Sequence, residues 1–209
     1  MDDSDRPDDW RDFGRETFPP LLRGALTCFA GQGYHGTTIR TIAAAVGLSV
    51  PGLYHHYASK QELLAAVMEQ AIGDLLTRTR AAVDRAGDDP LRRFDAVVES
   101  LVLFHAHRRD EAFVAASELR ALEPAHRERL VGMRDEQEGL LYAAVADCVA
   151  RGDFPATAAR EAGRAVITMC TAVATWYHIS GPIAPEELAA TYVLLARRTM
   201  GLPDPGTAG

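Results

Sequence analysis

The chain has 209 residues, of which 47% are hydrophobic, and 29 acidic residues against 22 lysines and arginines give a formal net charge of −7 at pH 7. This length allows one large domain, or a small domain fused to a larger one, with ample apolar material for a core. The sequence has no secretory signal and no apolar run of about eighteen residues, so we expect a cytoplasmic protein with no membrane partner.

The three cysteines are far apart and lack the spacing of metal ligands. Each lies in an apolar helical pattern, so we expect Cys28, Cys148 and Cys170 to pack in the core, with a redox switch as the alternative. His105 and His107 are two residues apart and would point in different directions on a helix, which argues against a shared metal. We therefore predict no metal site and no cofactor.

Residues 1–16 contain seven acidic residues and three arginines. This composition at a chain end predicts a disordered acidic tail that adds little to the binding of an anion. Pro19 and Pro20 then suit the first turn of a helix, which Gly31 and Gly33 would end. The inner stripe of this helix would be Leu22, Ala25, Leu26 and Phe29.

Two short helices and a tight turn are predicted next. The first has an apolar stripe at helical spacing, formed by Ile39, Ile42, Ala43 and Val46. Thr37 or Thr38 can cap its start, Gly47 would end it, and Ser49 can cap the second helix. Two helices joined by about four residues that include a glycine indicate a helix-turn-helix.

The outer face of the second short helix suggests DNA. If Leu53 and Tyr57 pack inward, the side chains left outside are those of Val50, Gly52, Tyr54, His55 and His56. Residues 17–60 contain no aspartate or glutamate, and they carry Arg23, Arg40 and Lys60. A basic island in an acidic chain is where a polyanion can approach, so we expect double-stranded DNA as the partner.

The expected DNA contacts form three groups. Phosphates would meet the start of the first motif helix, at Thr38 and Arg40. Base edges would lie closest to the start of the second helix, which Ser49 caps, at Val50, Pro51 and Gly52. The DNA backbone would be gripped by Tyr54, His55, His56 and Lys60. The alternative for Lys60 is a solvated charge beside the capping box of Ser59 and Glu62.

Helical patterns continue to the end of the chain. Residues 60–86 have the apolar spacing of one long helix. The sequence Gly-Asp-Asp-Pro at 87–90 ends this helix and begins the next one. Further helices are expected at 91–107, 111–122, 124–151, 157–179 and 185–200. The fold class is therefore all-α, with about nine helices.

The segment TTIRTIAAAVGLSVPGLYHHYASKQELL resembles the DNA-binding domain of the TetR family of transcriptional repressors. The residues in register are Thr38, Ile42, Ala43, Gly47, Ser49, Gly52, Tyr54, Tyr57, Lys60 and Leu63. The resemblance implies an all-helical homodimer with three DNA-binding helices and about six more for an effector pocket and the dimer interface. We accordingly expect a DNA-binding domain at 17–62, a ligand-binding and dimerisation domain at 63–202 and a disordered tail at 203–209.

The last two helices are candidates for the dimer interface. The predicted interface residues are Val166, Cys170, Val173, Tyr177, Leu188, Tyr192 and Leu195. The periodicity alone fits a core within one chain equally well, and the resemblance favours the interface. A dimer would place two recognition helices in successive major grooves, about 34–36 Å apart, on an inverted-repeat operator.

Aromatic, sulfur-containing and polar side chains in the middle helices suggest an effector site, although single members are often ordinary core. The predicted ligand-binding residues are Phe94, Phe104, His105, Phe113, Arg120, Met133, Arg134, Tyr142, Met169 and Trp176. The elements S-E-L-R, R-D-E-x-E and G-D-F are similar to a TetR branch that responds to acyl-CoA thioesters. This similarity implies a hydrophobic effector whose phosphates meet Arg120 or Arg134; an aromatic or drug-like effector is the alternative.

We expect the effector to wedge apart the helices around Phe104 and Tyr142, tilt the helix 60–86 and separate the recognition helices. Two other classes of function remain open. A small helical enzyme is one, but the sequence has no glycine-rich phosphate loop, nucleophile elbow or His-Glu metal pair, so we predict that the protein is not an enzyme. An adaptor with a vestigial helix-turn-helix is the other, and it would lack salt-dependent DNA binding.

Overall fold

The computed structural model describes residues 9–202, and within this range the regular secondary structure is entirely helical. The ten α-helices are α1 (Pro20–Gly36), α2 (Ile39–Ala45), α3 (Val50–His56), α4 (Lys60–Ala86), α5 (Pro90–His107), α6 (Arg109–Ser117), α7 (Pro124–Arg151), α8 (Ala159–Thr171), α9 (Val173–Trp176) and α10 (Pro185–Thr199). A 3-10 helix spans Glu118–Ala121. The predicted all-α class is confirmed.

The boundaries differ from the prediction at three places. The segment 157–179, expected as one helix, is broken into α8 and α9. Thr171 and Thr175 donate their hydroxyls to carbonyls three residues earlier, at 3.1 and 2.7 Å, and such bonds compete with the helical ladder. The segment 111–122 becomes α6 and the 3-10 helix. Gly33 interrupts α1 with a φ of 67°, as its position near the predicted end suggested, and one further turn follows.

The chain forms two compact units. The helix-turn-helix unit comprises Arg15–Asp74 and Arg108–Arg134, and the C-terminal unit comprises the described residues among 9–14, 75–107 and 135–202. Helices α4 and α7 each contribute residues to both units.

The core of the helix-turn-helix unit combines α1, α2, α3 and the first half of α4 with a later part of the chain. Its earlier members include Leu26, Ile42 and Leu53, each fully buried. The later members are Val114, Ala115, Leu122 and Leu130. Residues from two distant stretches therefore close one core.

The C-terminal unit is built around α5. This helix is buried over most of its surface and packs against α8, α9 and α10. Phe94 meets Phe154 edge to face with 5.0 Å between ring centroids. Arg197 of α10 forms an ion pair with Asp95 of α5, with Nε 2.9 Å from Oδ1.

Buried side chains hold residues 9–14 in the C-terminal unit. Trp10 is only 2% exposed. The equally buried Arg78 donates from Nη1 to the carbonyl oxygens of Trp10 and Asp12, at 2.9 and 2.7 Å. Phe13 lies under the Arg78 guanidinium at 4.1 Å and stacks on His107 with 4.4 Å between centroids. The predicted disordered tail 1–16 does not fit residues 9–16, because two aromatic side chains anchor 9–14 and Glu16 pairs with Arg23. Residues 1–8 and 203–209 lie outside the described range.

All three cysteines are buried and free, which confirms their predicted place in the core. Burial raises the pKa of Cys148 to about 11 and that of Cys170 to about 12, so these thiols stay protonated at neutral pH. Within residues 9–202, no helix is both long enough and apolar enough to cross a bilayer.

Candidate nucleic-acid interface

Side-chain caps fix the start of both motif helices. The hydroxyl oxygen of Thr38 accepts a hydrogen bond from the backbone N–H of Thr41 at 3.1 Å, and that of Ser49 accepts one from Gly52 at 3.1 Å. Gly47 in the turn has a φ of 69°, a left-handed conformation in which a side chain is strained. The Ser49 cap and the turn glycine were predicted, and of the two threonines expected at the first cap it is Thr38, not Thr37, that forms it.

The turn lies very close to α1. A Cβ added at Gly24 would be 2.2 Å from Cγ1 of Val46, the residue that ends α2. A glycine at position 24 therefore lets α1 approach the motif. The local sequence does not predict this role, because the contact joins α1 to the end of α2.

The recognition helix α3 presents a polar outer face. Leu53 is fully buried, whereas Tyr54 is 48% exposed and both His55 and His56 are exposed. Val50 and Gly52 are half-buried, and Pro51 is exposed. The inward and outward sides of α3 are those that the sequence predicted, and the DNA contacts assigned to this face stay predictions.

The three basic residues of the segment 17–60 differ in their surroundings. Arg23 is held in ion pairs with Glu16 and Glu111, at 2.5 and 2.9 Å, so acidic side chains from outside the segment offset its charge. Arg40 is exposed on α2. The outer surface of the motif therefore gains more cationic character from Arg40 than from Arg23.

Lys60 has a structural role that the sequence did not show. Its Nζ donates to the carbonyl oxygens of Tyr34 and Thr37, both at 2.8 Å, and lies 4.0 Å from the centre of the Tyr34 ring. These carbonyls belong to the C-terminal end of α1, where a cation is favoured by the helix dipole. The ammonium group thus joins α4 to α1, and a grip on the DNA backbone is a separate prediction.

Gln61 is a second residue that the sequence analysis missed. Its Nε2 donates to the hydroxyl of Tyr34 and to the carbonyl of Ala121, both at 2.8 Å, and its Oε1 accepts from the N–H of Glu123 at 3.0 Å. One amide therefore ties α4 to α1 and to the loop after the 3-10 helix. The one sequence feature that could have indicated this role is that Gln61 is polar and lies at the start of a mostly apolar segment.

The predicted capping box is present in a shifted form. The N–H of Glu62 donates to the hydroxyl of Ser59 at 3.1 Å. The carboxylate of Glu62 accepts from the N–H of Ala58 at 2.8 Å, one residue before the cap. The cap therefore satisfies the free N–H of Glu62 in the first turn of α4, and the Glu62 carboxylate holds the backbone that leads into the helix.

The predicted ligand-binding residues divide between the two units. Those of the helix-turn-helix unit are Phe113, Arg120, Met133 and Arg134, and those of the C-terminal unit are Phe94, Phe104, His105, Tyr142, Met169 and Trp176. Phe94 and Phe104 are buried, whereas Phe113 and Trp176 are each 47% exposed. Nδ1 of the buried His105 lies 2.7 Å from the carbonyl oxygen of Leu101.

The sequence elements that suggested an acyl-CoA effector have structural partners. Arg134 donates to the carbonyl of Ala115, and Glu136 forms an ion pair with Arg80. Gly152 ends α7 with a φ of 90°. These contacts lie within the chain, so the same residues have a structural role beside any role in binding an effector.

The stripe predicted as the dimer interface faces inward. Five of its members are at most 4% exposed within the single chain: Val166, Cys170, Val173, Tyr177 and Leu188. The alternative of an intramolecular core describes these five, because α8, α9 and α10 use that face to pack with α5. Tyr192 is half-buried and Leu195 is 40% exposed, so only these two of the predicted set reach the surface.

Comparisons with known proteins agree with this architecture. Residues 21–67 match the family described as bacterial regulatory proteins, tetR family, and residues 87–200 match the tetracyclin repressor-like C-terminal domain. The transcriptional repressor KstR2 of Mycolicibacterium smegmatis is 25% identical over 177 residues, which cover 84% of this chain and 86% of the relative.

Two solved structures extend the agreement to the fold. A tetR-family regulatory protein from Rhodococcus RHA1 has a TM-score of 0.80 and 29% identity, covering 88% of this chain and 97% of its own. AibR, in a complex with isovaleryl coenzyme A and operator DNA, has a TM-score of 0.75 and 22% identity, covering 86% and 97%, and at that identity the likeness concerns the fold alone. The chain therefore belongs to the TetR family of DNA-binding transcriptional repressors.

Proposed function

We propose that the protein binds an inverted-repeat operator as a homodimer and represses transcription until a small hydrophobic effector releases it. The observation that carries the proposal is the outer face of α3, where Tyr54, His55 and His56 are exposed around the buried Leu53. No acidic residue lies between positions 17 and 60 to repel phosphates. In this proposal residues 17–62 read the DNA, and residues 63–202 bind the effector and the second copy.

Dimerisation is supported by apolar side chains that the single chain leaves uncovered. The large exposed ones near the end of the described chain are Trp176, Ile179, Ile183, Leu194 and Leu195, each at least 40% exposed. Large apolar side chains left exposed in one part of a chain are candidates for a protein–protein interface. A recognition helix of seven residues reads only one half-site, so a second copy supplies the other half of the operator.

We propose an acyl-CoA thioester as the effector. AibR, which shares the fold, was solved with isovaleryl coenzyme A and operator DNA, and KstR2 is a relative over most of the chain. Of the two arginines expected to meet phosphates, Arg120 is exposed, whereas Arg134 already donates to a backbone carbonyl. Arg120 is therefore the better candidate for the coenzyme A phosphates.

Helix α4 is the proposed route of the signal. It begins in the helix-turn-helix unit, where Lys60 and Gln61 hold α1, and continues into the C-terminal unit. An effector that binds the DNA-incompetent state more tightly shifts the population toward that state, and each tenfold loss of DNA affinity requires about 1.4 kcal/mol of preference.

The test is a fluorescence-anisotropy titration of the full-length protein on DNA from upstream of its own gene, with and without octanoyl-CoA and isovaleryl-CoA. We expect salt-dependent binding that the His55→Ala variant weakens and that an acyl-CoA lowers at least tenfold. The exposed Gln32→Ala on α1 serves as the control and should bind as the wild type does.

Three other results would contradict parts of the proposal. A protein without salt-dependent DNA binding would fit an adaptor or a small helical enzyme. Binding that no acyl-CoA alters, but that a planar aromatic compound releases, would replace the effector with the drug-like alternative. If the protein is monomeric at the concentrations at which it binds DNA, the proposal that a homodimer binds two half-sites is refuted.

A further inference from the structure

The C-terminal unit holds a polar cluster inside its apolar interior. Its members are Thr79 on α4, Ser100 on α5 and Gln137 on α7, which are 0%, 1% and 6% exposed. The hydroxyl oxygens of Thr79 and Ser100 are 3.0 Å apart, and Nε2 of Gln137 donates to the Thr79 hydroxyl at 3.1 Å. Three helices thus bring their polar side chains to one buried point.

The hydrogen bonds of Thr79 fix the orientation of the Gln137 amide. The Thr79 hydroxyl donates its single proton to the carbonyl oxygen of Leu75 at 2.9 Å, so its oxygen acts as an acceptor toward Gln137. The amide must then point its N–H at Thr79. Its carbonyl oxygen is turned away from the cluster.

That carbonyl oxygen has no hydrogen-bond partner. Oε1 of Gln137 is a buried side-chain acceptor, and no protein group among residues 9–202 donates to it. A buried polar atom without a partner is uncommon in folded proteins and is costly, because the lost hydration is not replaced. On α5, the residues one turn on either side of Ser100 are apolar and buried, namely Val97 and Phe104.

We propose that Gln137 is a specificity determinant of the effector site, where Oε1 accepts a hydrogen bond from a neutral O–H or N–H group on an otherwise apolar ligand. The inference rests on the proposed function, since it names the chemistry of that effector. A neutral donor fits better than an ammonium group, because the cluster contains hydroxyls and an amide but no carboxylate to balance a buried charge. Within an acyl-CoA, the donor is either a hydroxyl on the acyl chain or an amide N–H of the thioester's pantetheine arm.

Ligand-free stability provides the first test. Leucine at position 137 removes the unsatisfied carbonyl together with one neutral hydrogen bond, so the melting temperature of Gln137→Leu should be unchanged or raised by about 2–4 °C. Gln61→Leu is the matched control, since the amide of Gln61 is satisfied by three groups and its loss should lower the melting temperature. A fall for Gln137→Leu as large as that for Gln61→Leu would show a structural amide and overturn the inference.

Calorimetric titration of the full-length protein provides the second test. The probes are octanoyl-CoA, 3-hydroxyoctanoyl-CoA and 8-hydroxyoctanoyl-CoA. We expect Gln137→Leu to weaken at least one of them about tenfold relative to the wild type, as the loss of one buried hydrogen bond implies. A loss confined to a hydroxylated probe identifies the acyl hydroxyl as the donor, and an equal loss for all three identifies the pantetheine amide.

The two hypotheses fail in different ways. If all three probes bind the variant as tightly as the wild type, the role of Gln137 is overturned while acyl-CoA recognition stands. If no probe binds the wild type, the acyl-CoA part of the proposed function is overturned. The inference about Gln137 is then tested by the melting temperatures alone, and it is overturned if Gln137→Leu lowers the melting temperature as much as Gln61→Leu does.

Discussion

The ammonium group of Lys60 donates a hydrogen bond to the carbonyl oxygen of Tyr34 at 2.8 Å and lies 4.0 Å from the centre of the same residue's ring. It therefore contacts the end of α1 through two different interactions, a charge-assisted hydrogen bond and a cation–π contact. A side chain that pattern alone would assign to DNA is thus also part of the fold.

Replacing Lys60 with methionine should destabilise the protein as well as weaken DNA binding. The carbonyls of Tyr34 and Thr37 lose a charged donor, which we expect to lower the free energy of unfolding by about 1–3 kcal/mol. Chemical denaturation measures this change. Arg40→Ala is the control, and it should leave stability unchanged while lowering the salt slope of DNA binding by about one. A fully stable Lys60→Met protein that binds DNA poorly would assign Lys60 to the DNA alone.

A side chain at position 24 should disturb the motif. Because the added Cβ of Gly24→Ala would lie 2.2 Å from Val46, we expect a loss of about 1–3 kcal/mol in the free energy of unfolding. The double variant with Val46→Ala should recover much of this loss, because the two sites are in contact. Gly31→Ala has open space around its Cβ and should be neutral or stabilising. Equal stabilities for Gly24→Ala and Gly31→Ala would refute the close approach.

The ordered N-terminal segment should contribute strongly to stability. Trp10 is 2% exposed, and removing a core tryptophan side chain typically costs about 3–5 kcal/mol, so Trp10→Ala should lower the melting temperature markedly. Its neighbour Arg11 is half exposed, pairs with Glu99 and lies over the Trp10 ring at 4.0 Å, so Arg11→Ala should cost much less than the loss of the ring itself. Similar melting curves for both variants would indicate that the segment does not anchor the unit in solution.

Asp89 should make the stability of the protein fall at low pH. Hydrogen bonds from the Arg151 side chain and the Arg92 backbone lower the pKa of this carboxyl from 3.8 to about 2. The resulting stabilisation is present above pH 3.8 and is lost as the pH falls toward 2. Asp89→Asn keeps an oxygen to cap α5 but cannot titrate, so its melting temperature should fall less over this interval than that of the wild type.

Asp89→Ala separates the cap from the ion pair. It removes both, so its melting temperature should be lower than that of Asp89→Asn at every pH. Parallel pH profiles for the wild type and Asp89→Asn would contradict the assignment of the acid transition to this carboxyl.

Charge on the exposed face of α10 should prevent dimerisation. Leu194 and Leu195 are 45% and 40% exposed, so the double change to glutamate leaves the chain's own core intact but places two carboxylates in the proposed interface. Sedimentation equilibrium should then show monomers that no longer bind the full operator. Val166→Ala, at a fully buried site, should instead lower stability and leave the dimer. If the double variant remains dimeric, the dimer interface does not include this face of α10.

Local chemistry made much of this fold predictable. Thr38, Gly47 and Ser49 act at the positions where their preferences for caps and left-handed turns place them. The inward and outward sides of α3 also followed from spacing. Contacts between distant elements could not be predicted. The residues near Gly24, Lys60 and Gln61 in the sequence do not indicate which helix each of these three contacts.

The dimer residues show the same limit. A helical stripe marks a side that is covered, but it does not say whether the cover comes from the same chain or from another copy. For Val166 and Cys170 the cover lies within the chain, because both are fully buried in a single copy and α8 packs against α5 and α10.

The shared core of the helix-turn-helix unit has a consequence for how such proteins can be recombined. A fragment cut after residue 62 would leave behind Val114, Leu122 and Leu130, side chains that help to close its own interior. A chimaera that exchanges operator preference between relatives must therefore include both parts of this core, the one from the first 72 residues and the one from residues 114–130. Core residues in these two parts must also change together during evolution.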